Sequence, residues 1–311
     1  TTRTVSSAAS DVYKRQTSSH WGTYRARVKD GKVKELIGWE NDKDPSPIGQ
    51  GIVDVHNHQT RIDSPMIRKS WMDKGPGSNN SLRGTDPFIS ISWDEAEKIV
   101  SNELNRVKND FGNASIFGGS YGWASAGRFH HAQSQLHRFL NCIGGYTRSK
   151  FTYSFAAAEA MVPHILGSYR AYLDTCTSWE SIEENTELFI CFGGVPLKNG
   201  QIAQGGTGSH KQKEKLIRSA NAGIKFVNFS PLKSDLLDEV NGEWLALRPN
   251  TDVAIMLGLA HTLYKEKLYD DKFIEKYTEG FDTFLPYLQG DIDGIVKDAN
   301  WASSISEIPS E

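Results

Sequence analysis

The chain has 311 residues, 38% of them hydrophobic and 23% charged, a composition of soluble globular proteins with a substantial core and not of disordered ones. A formal net charge of −3 excludes any global pull toward nucleic acid or an anionic membrane surface. A membrane-spanning helix needs roughly 18 apolar residues in a row, and the best run here, Leu188 to Phe192, stops at a glycine pair.

At about 100–200 residues per domain, this length predicts two or three domains. Residues 1–16 lack the basic and apolar segments of an export signal. Val5 to Gln16 resembles translated adapter sequence, so this span is set aside as a non-native leader. Residues 17–86 follow as a small β-rich lobe, with β-like runs at Tyr24–Val28, Lys32–Ile37 and Gly51–Val55 between Gly and Pro punctuation.

Residues 87–180 read as an α/β domain. Ser92 and Glu95 form a capping box ahead of a helix whose apolar face is Ala96, Ile99, Val100, Leu104 and Val107. A short strand is predicted at Ala114–Phe117. A second helix is predicted from about Ser125 to Cys142, and a third over Ala156–Leu166 that Pro163 bends or ends. Residues 181–311 read as the first part of a Rossmann-like domain. A strand at Leu188–Phe192, a helix at about Gly208–Ala222 and a strand at Ile224–Phe229 make a βαβ unit, and Asn250-Thr251-Asp252 caps a helix from Val253. The fold class is therefore α/β, with doubly wound parallel sheets behind the β-rich lobe.

Single residues carry little alone. Cys142, Cys176 and Cys191 form no CxxC pair, which points to small buried hydrophobes and not to zinc or an iron–sulfur cluster. His130, His131 and His137 lack the spacing of a metal pair and read as structural. Gly193-Gly194 after a strand suits either a phosphate approach or a plain turn. Ser154 lacks the GxSxG setting of a hydrolase nucleophile, so an α/β hydrolase has neither elbow nor base.

Taken together, several strings change the reading. His20-Trp21-Gly22, Arg61 to Met66, Arg83-Gly84 leading into Ser92 to Ala96, and Gly118 to Trp123 followed by Gly127-Arg128-Phe129-His130 occur in order. Tyr153-Ser154 with Pro163 to Gly167, then Pro196-Leu197-Lys198, Asn228 to Pro231 and Thr251 to Ala254 complete the series. From about Ser19 to Trp301 the chain resembles the molybdenum enzymes of the dimethyl sulfoxide, trimethylamine N-oxide and biotin sulfoxide reductase family.

The resemblance implies a multi-domain molybdopterin oxidoreductase fold and a molybdenum held by two molybdopterin guanine dinucleotides, with no iron–sulfur cluster. Ser154 would be the protein's ligand to the metal, a hard alkoxide suited to its oxidised state. Trp123 would cover the metal, and Tyr121 would donate its phenol hydrogen to the substrate oxygen. In the family a tyrosine there marks S-oxide and biotin sulfoxide reductases, whereas specialised N-oxide reductases lack it. Ser120, Trp123, Ser154, Lys198, Asn199, Ser230, Pro231 and Asp252 would contact the cofactor. Asn199 departs from the threonine of many relatives but still donates and accepts.

The implied activity is removal of oxygen from S-oxides or N-oxides as molybdenum cycles between Mo(IV) and Mo(VI) in a bacterial anaerobic respiratory setting. Electrons would come from a redox donor such as a membrane-anchored multihaem cytochrome c. The enzyme would not itself span the membrane, and the periplasm is favoured over the cytoplasm. Family enzymes are more than twice this length, so a chain ending at Glu311 is expected to be inactive alone. The alternative is a non-catalytic dinucleotide-binding fragment.

Overall fold

The computed structural model describes residues 13–56, 58–78, 80–119, 131–152, 154–202 and 208–311. The chain divides into two compact units, Thr1–Asp174 with Ile202–His210, and Thr175–Gln201 with Lys211–Glu311.

The first unit opens with an antiparallel sheet in the order β1 (Tyr13–Ser19), β2 (Gly22–Lys29), β3 (Lys32–Gly38). β1 starts inside the span set aside as leader. Tyr13 pairs with Val28 and Gln16 with Arg25 in unbroken register, so strand pairing draws Tyr13–Gln16 into the lobe. Asp30-Gly31 joins β2 to β3 with φ of 52° and 72°, the left-handed geometry that suits a two-residue hairpin. Tyr24, Ala26 and Leu36 are buried beneath Val28, Val33, Ile52 and Val53.

Ile52 and Val53 belong to a helix, α1 (Gln50–Val55), where the sequence predicts a strand. Ser46 accepts from the Ile48 N–H at 3.3 Å, and Pro47 opens a 3₁₀ turn, Pro47–Gly49, that runs directly into α1. Packing on the sheet and this N-terminal turn override the β preference of the branched side chains.

An antiparallel pair, β4 (Met66–Arg68) and β5 (Phe88–Ser90), flanks α2 (Lys69–Lys74). α3 (Trp93–Phe111) starts where the capping box predicts, with Ser92 Oγ accepting from the Glu95 N–H at 3.2 Å. The predicted strand at Ala114–Phe117 is instead a 3₁₀ turn at Asn113–Ser115 and a two-residue β6 (Phe117–Gly118). The Asn113 side-chain amide donates to the Ile143 and Gly145 carbonyls, tying this segment into a turn. β6 pairs in parallel with β7 (Thr147–Arg148).

Of the helix predicted from Ser125, the described part is α4 (Ala132–Cys142). α5 (Ala156–Leu166) has its predicted bounds and continues three residues past Pro163, and α6 (Tyr169–Asp174) closes this run.

The second unit begins with α7 (Trp179–Asn185) and β8 (Leu188–Phe192). α8 (Gln212–Asn221), β9 (Lys225–Phe229) and β10 (Glu243–Leu245) follow. The sheet is parallel throughout, in the order β10-β9-β8. The remaining helices are α9 (Asp252–Lys265), α10 (Asp271–Tyr277), α11 (Phe281–Gln289) and α12 (Ala299–Ser306).

Successive strand side chains point to opposite faces, and here each face has its own core. Phe226 packs with Cys191, Ile224 and Leu216 of α8. Phe229 packs with Leu247, Ile308 and Ile255 of α9. Helices thus cover both faces of the parallel sheet. Thr251 precedes α9 as predicted, but its hydroxyl donates to the Arg248 carbonyl at 2.6 Å and does not cap the helix.

The cysteine expectation holds for Cys191 alone. That residue is buried and its thiol is pushed up to about 11 by desolvation, whereas Cys142 and Cys176 are exposed. Neither of the latter is enclosed by the short helices and turns around it.

Candidate functional site

In the second unit, the C-terminal ends of β8, β9 and β10 gather four of the eight residues expected to contact a cofactor, Lys198, Asn199, Ser230 and Pro231. β8 runs into Gly193-Gly194, with φ of 82° and 77°. The Gly193 N–H donates to the Phe229 carbonyl at 2.9 Å and the Val195 N–H to the Asp235 carbonyl at 2.8 Å. A Cβ on Gly194 would lie 2.4 Å from that Asp235 oxygen, so only glycine allows the approach.

Beyond Pro196, a 3₁₀ turn (Leu197–Gly200) carries Lys198 and Asn199, both exposed. Lys198 Nζ reaches Asp235 Oδ1 at 3.1 Å. The other carboxylate oxygen of Asp235 accepts from the buried Ser230 hydroxyl at 2.6 Å. Ser230 Oγ in turn accepts from the Leu232 N–H at 3.2 Å, and Trp244 Nε1 donates to the Ser230 carbonyl at 2.8 Å. The Ser230 hydrogen bond, reinforced by the Lys198 ammonium, holds the Asp235 carboxyl below the usual carboxylate range.

The structure therefore joins Lys198 to Ser230 through Asp235. Pro231 is the exposed neighbour of Ser230. Asn199 takes part through its N–H, which donates to the Pro196 carbonyl at 3.0 Å. Asp252, half-buried in the first turn of α9, has no hydrogen bond to this cluster. Asp235 and Trp244 were not legible in the sequence: an aspartate five residues beyond a strand-ending serine has no signature, and their roles depend on strand order.

Asn228, penultimate in β9, is 1% exposed, and both its amide atoms lack partners among the described residues. Gly193 has open space where a Cβ would lie. A glycine pair, an exposed ammonium and unspent buried amide capacity at the carboxyl ends of parallel strands suit a polar, anionic ligand lying across them.

Ser154 belongs to the first unit. It occupies an exposed turn ahead of α5, where its N–H donates to Thr152 Oγ1 at 2.9 Å and the Thr152 N–H donates to Glu159 Oε2 at 3.2 Å. Phe155 next to it stacks on Tyr169, with ring centroids 5.6 Å apart. The backbone is thus pinned while the hydroxyl has no partner among the described residues. Ser154 is not among the residues with positive φ, and among the described residues no histidine hydrogen-bonds to it, so the described residues show no nucleophile elbow with an assembled base.

Among the described residues, no group of three or more His, Cys, Asp and Glu side chains could hold a metal ion. His131 and His137 are structural as expected, the first accepting from the Ser134 N–H at the start of α4 and the second stacked on Tyr146. Ser120, Tyr121, Trp123 and His130 lie outside the described residues.

Sequence comparison matches residues 61–284 to the molybdopterin oxidoreductase family and residues 17–55 to the molybdopterin oxidoreductase N-terminal domain. The chain belongs to the molybdopterin oxidoreductase family. The shorter match takes in β2, β3 and α1, and the longer one includes both Ser154 and the strand ends of the second unit.

The chain is 39% identical over 293 residues to a dimethyl sulfoxide/trimethylamine N-oxide reductase of Rhodobacter capsulatus. It is 40% identical over 271 residues to a biotin sulfoxide reductase of Cereibacter sphaeroides, and 36% over 295 residues to a trimethylamine-N-oxide reductase of Haemophilus influenzae. These alignments cover 94%, 87% and 95% of the chain but 35%, 36% and 36% of the relatives, so the chain spans about a third of their length. No helix among the described residues is long and apolar enough to cross a membrane.

Proposed function

We propose that this chain supplies the N-terminal part of a bacterial molybdenum reductase that removes oxygen from S-oxides or N-oxides. The observation that carries this reading is the serine at position 154, in a pinned turn with no hydroxyl partner among the described residues, in a chain similar to reductases named for dimethyl sulfoxide, trimethylamine N-oxide and biotin sulfoxide.

The cofactor is a molybdenum carried by two molybdopterin guanine dinucleotides, which supplies two-electron oxygen-atom transfer when bound. The chain's own residues bind and orient. Ser154 offers an alkoxide to the metal, and its backbone hydrogen bonds restrict where that oxygen points. The doubly wound, Rossmann-like strand ends of the second unit hold one dinucleotide, through Gly193, Lys198, Asn199, Ser230, Pro231 and Asp252. Lys198, steadied by Asp235, brings positive charge to the pterin system. Ser120 and Trp123 pack against the cofactor, and Tyr121 donates its phenol hydrogen to the substrate oxygen. Reducing equivalents come from a separate donor, with a membrane-anchored multihaem cytochrome c and a periplasmic setting as the favoured arrangement.

Molybdenum analysis of the protein produced together with the remaining two-thirds of such an enzyme tests this reading. Stoichiometric metal that Ser154→Ala perturbs in its visible spectrum supports it, and absence of molybdenum overturns it. A second reading, a dinucleotide-binding chain without turnover, is favoured by the self-contained strand-end cluster of the second unit. It predicts guanine dinucleotide binding with no metal.

A further inference from the structure

Asp42 and His210 are 168 residues apart in sequence and both buried, with side chains 2% and 3% exposed. The Asp42 carboxylate takes three hydrogen bonds: from His210 Nδ1 at 2.6 Å, from the His210 N–H at 3.0 Å and from the Asp44 N–H at 3.2 Å. Asp42 itself sits in a turn whose N–H donates to the Trp39 carbonyl at 2.9 Å, and the Trp39 N–H donates to the Thr23 carbonyl of β2 at 3.2 Å. On its other side the imidazole rests against Gly22, where a Cβ would stand 3.1 Å from His210 Cε1 and where φ is +123°. The glycine of the His20-Trp21-Gly22 string is thus the room the ring occupies.

We propose that Asp42 and His210 are a positioning pair that anchors the His210 end of the segment Ile202–His210 to the N-terminal three-stranded sheet. That segment clusters with the first unit although the chain on both sides of it belongs to the second. It follows directly on the turn that carries Lys198 and Asn199, and two residues beyond His210 the Gln212 side chain donates to the Val195 and Pro196 carbonyls at 3.1 and 3.2 Å. The pair therefore holds the chain two residues ahead of the Gln212 contacts with Val195 and Pro196. Only the link to the cofactor turn rests on the proposed function, whereas the anchoring itself stands on the geometry of Asp42, His210 and Gly22.

His210 is held through one nitrogen. An ionised carboxylate only accepts, so Nδ1 donates, while Nε2 is buried without a partner among the described residues. Asparagine at this position offers an amide N–H where Nδ1 lies, whereas glutamine offers one where Nε2 lies.

The test is hydrogen exchange at the His210 amide and neighbouring amides in the intact chain, with His210→Asn, His210→Gln, His210→Ala, Asp42→Ala and the double alanine variant. Loss of a hydrogen bond to a buried carboxylate should speed exchange about 10- to 150-fold in His210→Ala, His210→Gln and Asp42→Ala. His210→Asn should restore most of the protection, and the double variant should be no worse than either single one. Equal protection in the Asn and Gln variants, or additive single effects, would overturn the pairing. If the variants fail to fold, nitrogen-15 NMR of the unaltered chain decides: a slowly exchanging His210 Nδ1 proton supports the pair, and its absence refutes it. None of these outcomes depends on molybdenum, so they stand apart from the failure of the proposed function.

Discussion

The two places where this chain is proposed to meet its cofactor are built differently. At the strand ends of the second unit, Lys198, Asp235, Ser230 and Trp244 are linked by hydrogen bonds that the protein makes with itself. At the turn in the first unit, Ser154 has a fixed backbone and a hydroxyl without a partner among the described residues. A cluster that satisfies its own polar groups is assembled by folding and waits for its ligand in place. A lone hydroxyl on an exposed turn depends on whatever binds it. Substitutions should therefore damage folding at the first place and chemistry at the second.

The largest expected separation is at Ser154. Ser154→Ala removes one exposed hydroxyl, so chain stability should change by less than about 0.5 kcal/mol. In the cofactor-bearing enzyme the same change should reduce turnover by more than the roughly 10- to 100-fold lost with an outer-shell partner of a metal site. Denaturant unfolding and turnover measured on both proteins check this, and unchanged turnover would reject Ser154 as the ligand.

Gly194→Ala should do the reverse. Its Cβ would collide with the Asp235 carbonyl at 2.4 Å in a left-handed backbone. The strain and overpacking together are expected to destabilise the chain by about 2–5 kcal/mol. An unaltered urea midpoint would mean that the strand-end cluster is looser than its geometry implies.

Tyr121→Phe sharpens the chemical side. A hydrogen bond to a charged oxygen is worth roughly 1.5–3 kcal/mol, or about 10- to 150-fold if made mainly in the transition state. kcat/KM should fall by that range for dimethyl sulfoxide and by less for trimethylamine N-oxide, whose N–O bond is weaker. Equal losses on the two substrates would remove Tyr121 from the choice between them.

The smallest effect is the pH response of Asp235. Its carboxyl titrates lower when folded than when unfolded, chiefly through Ser230. Its contribution to stability is therefore fully present above the unfolded value of about 3.9 and is lost as pH falls through the folded value. Asp235→Asn should flatten the fall in stability as pH drops below the unfolded value of about 3.9, relative to the unaltered chain. Parallel pH profiles for the two proteins would show that Asp235 carries no such linkage.

Local chemistry was legible wherever the cause is local. The Ser92 cap, the bounds of α5, the strand Leu188–Phe192 and the βαβ order follow from capping, periodicity and turn residues a few positions apart, and the ordered motifs carried the family. Misreadings arose where distant contacts overrule propensity. Ile52 and Val53 look like strand residues until the N-terminal sheet needs a helix to cover it, and Asn113 becomes a turn because it reaches the carbonyls of Ile143 and Gly145. The partners of the candidate site are of the same kind. By itself the sequence determined the elements whose causes are local and which residues carry the family's motifs, because those depend on near neighbours. Only the tertiary structure decided that Asp235 joins Ser230 to Lys198 and that Asp42 meets His210 across 168 positions. A lone carboxylate has no pattern until folding removes its water and sets its partners beside it.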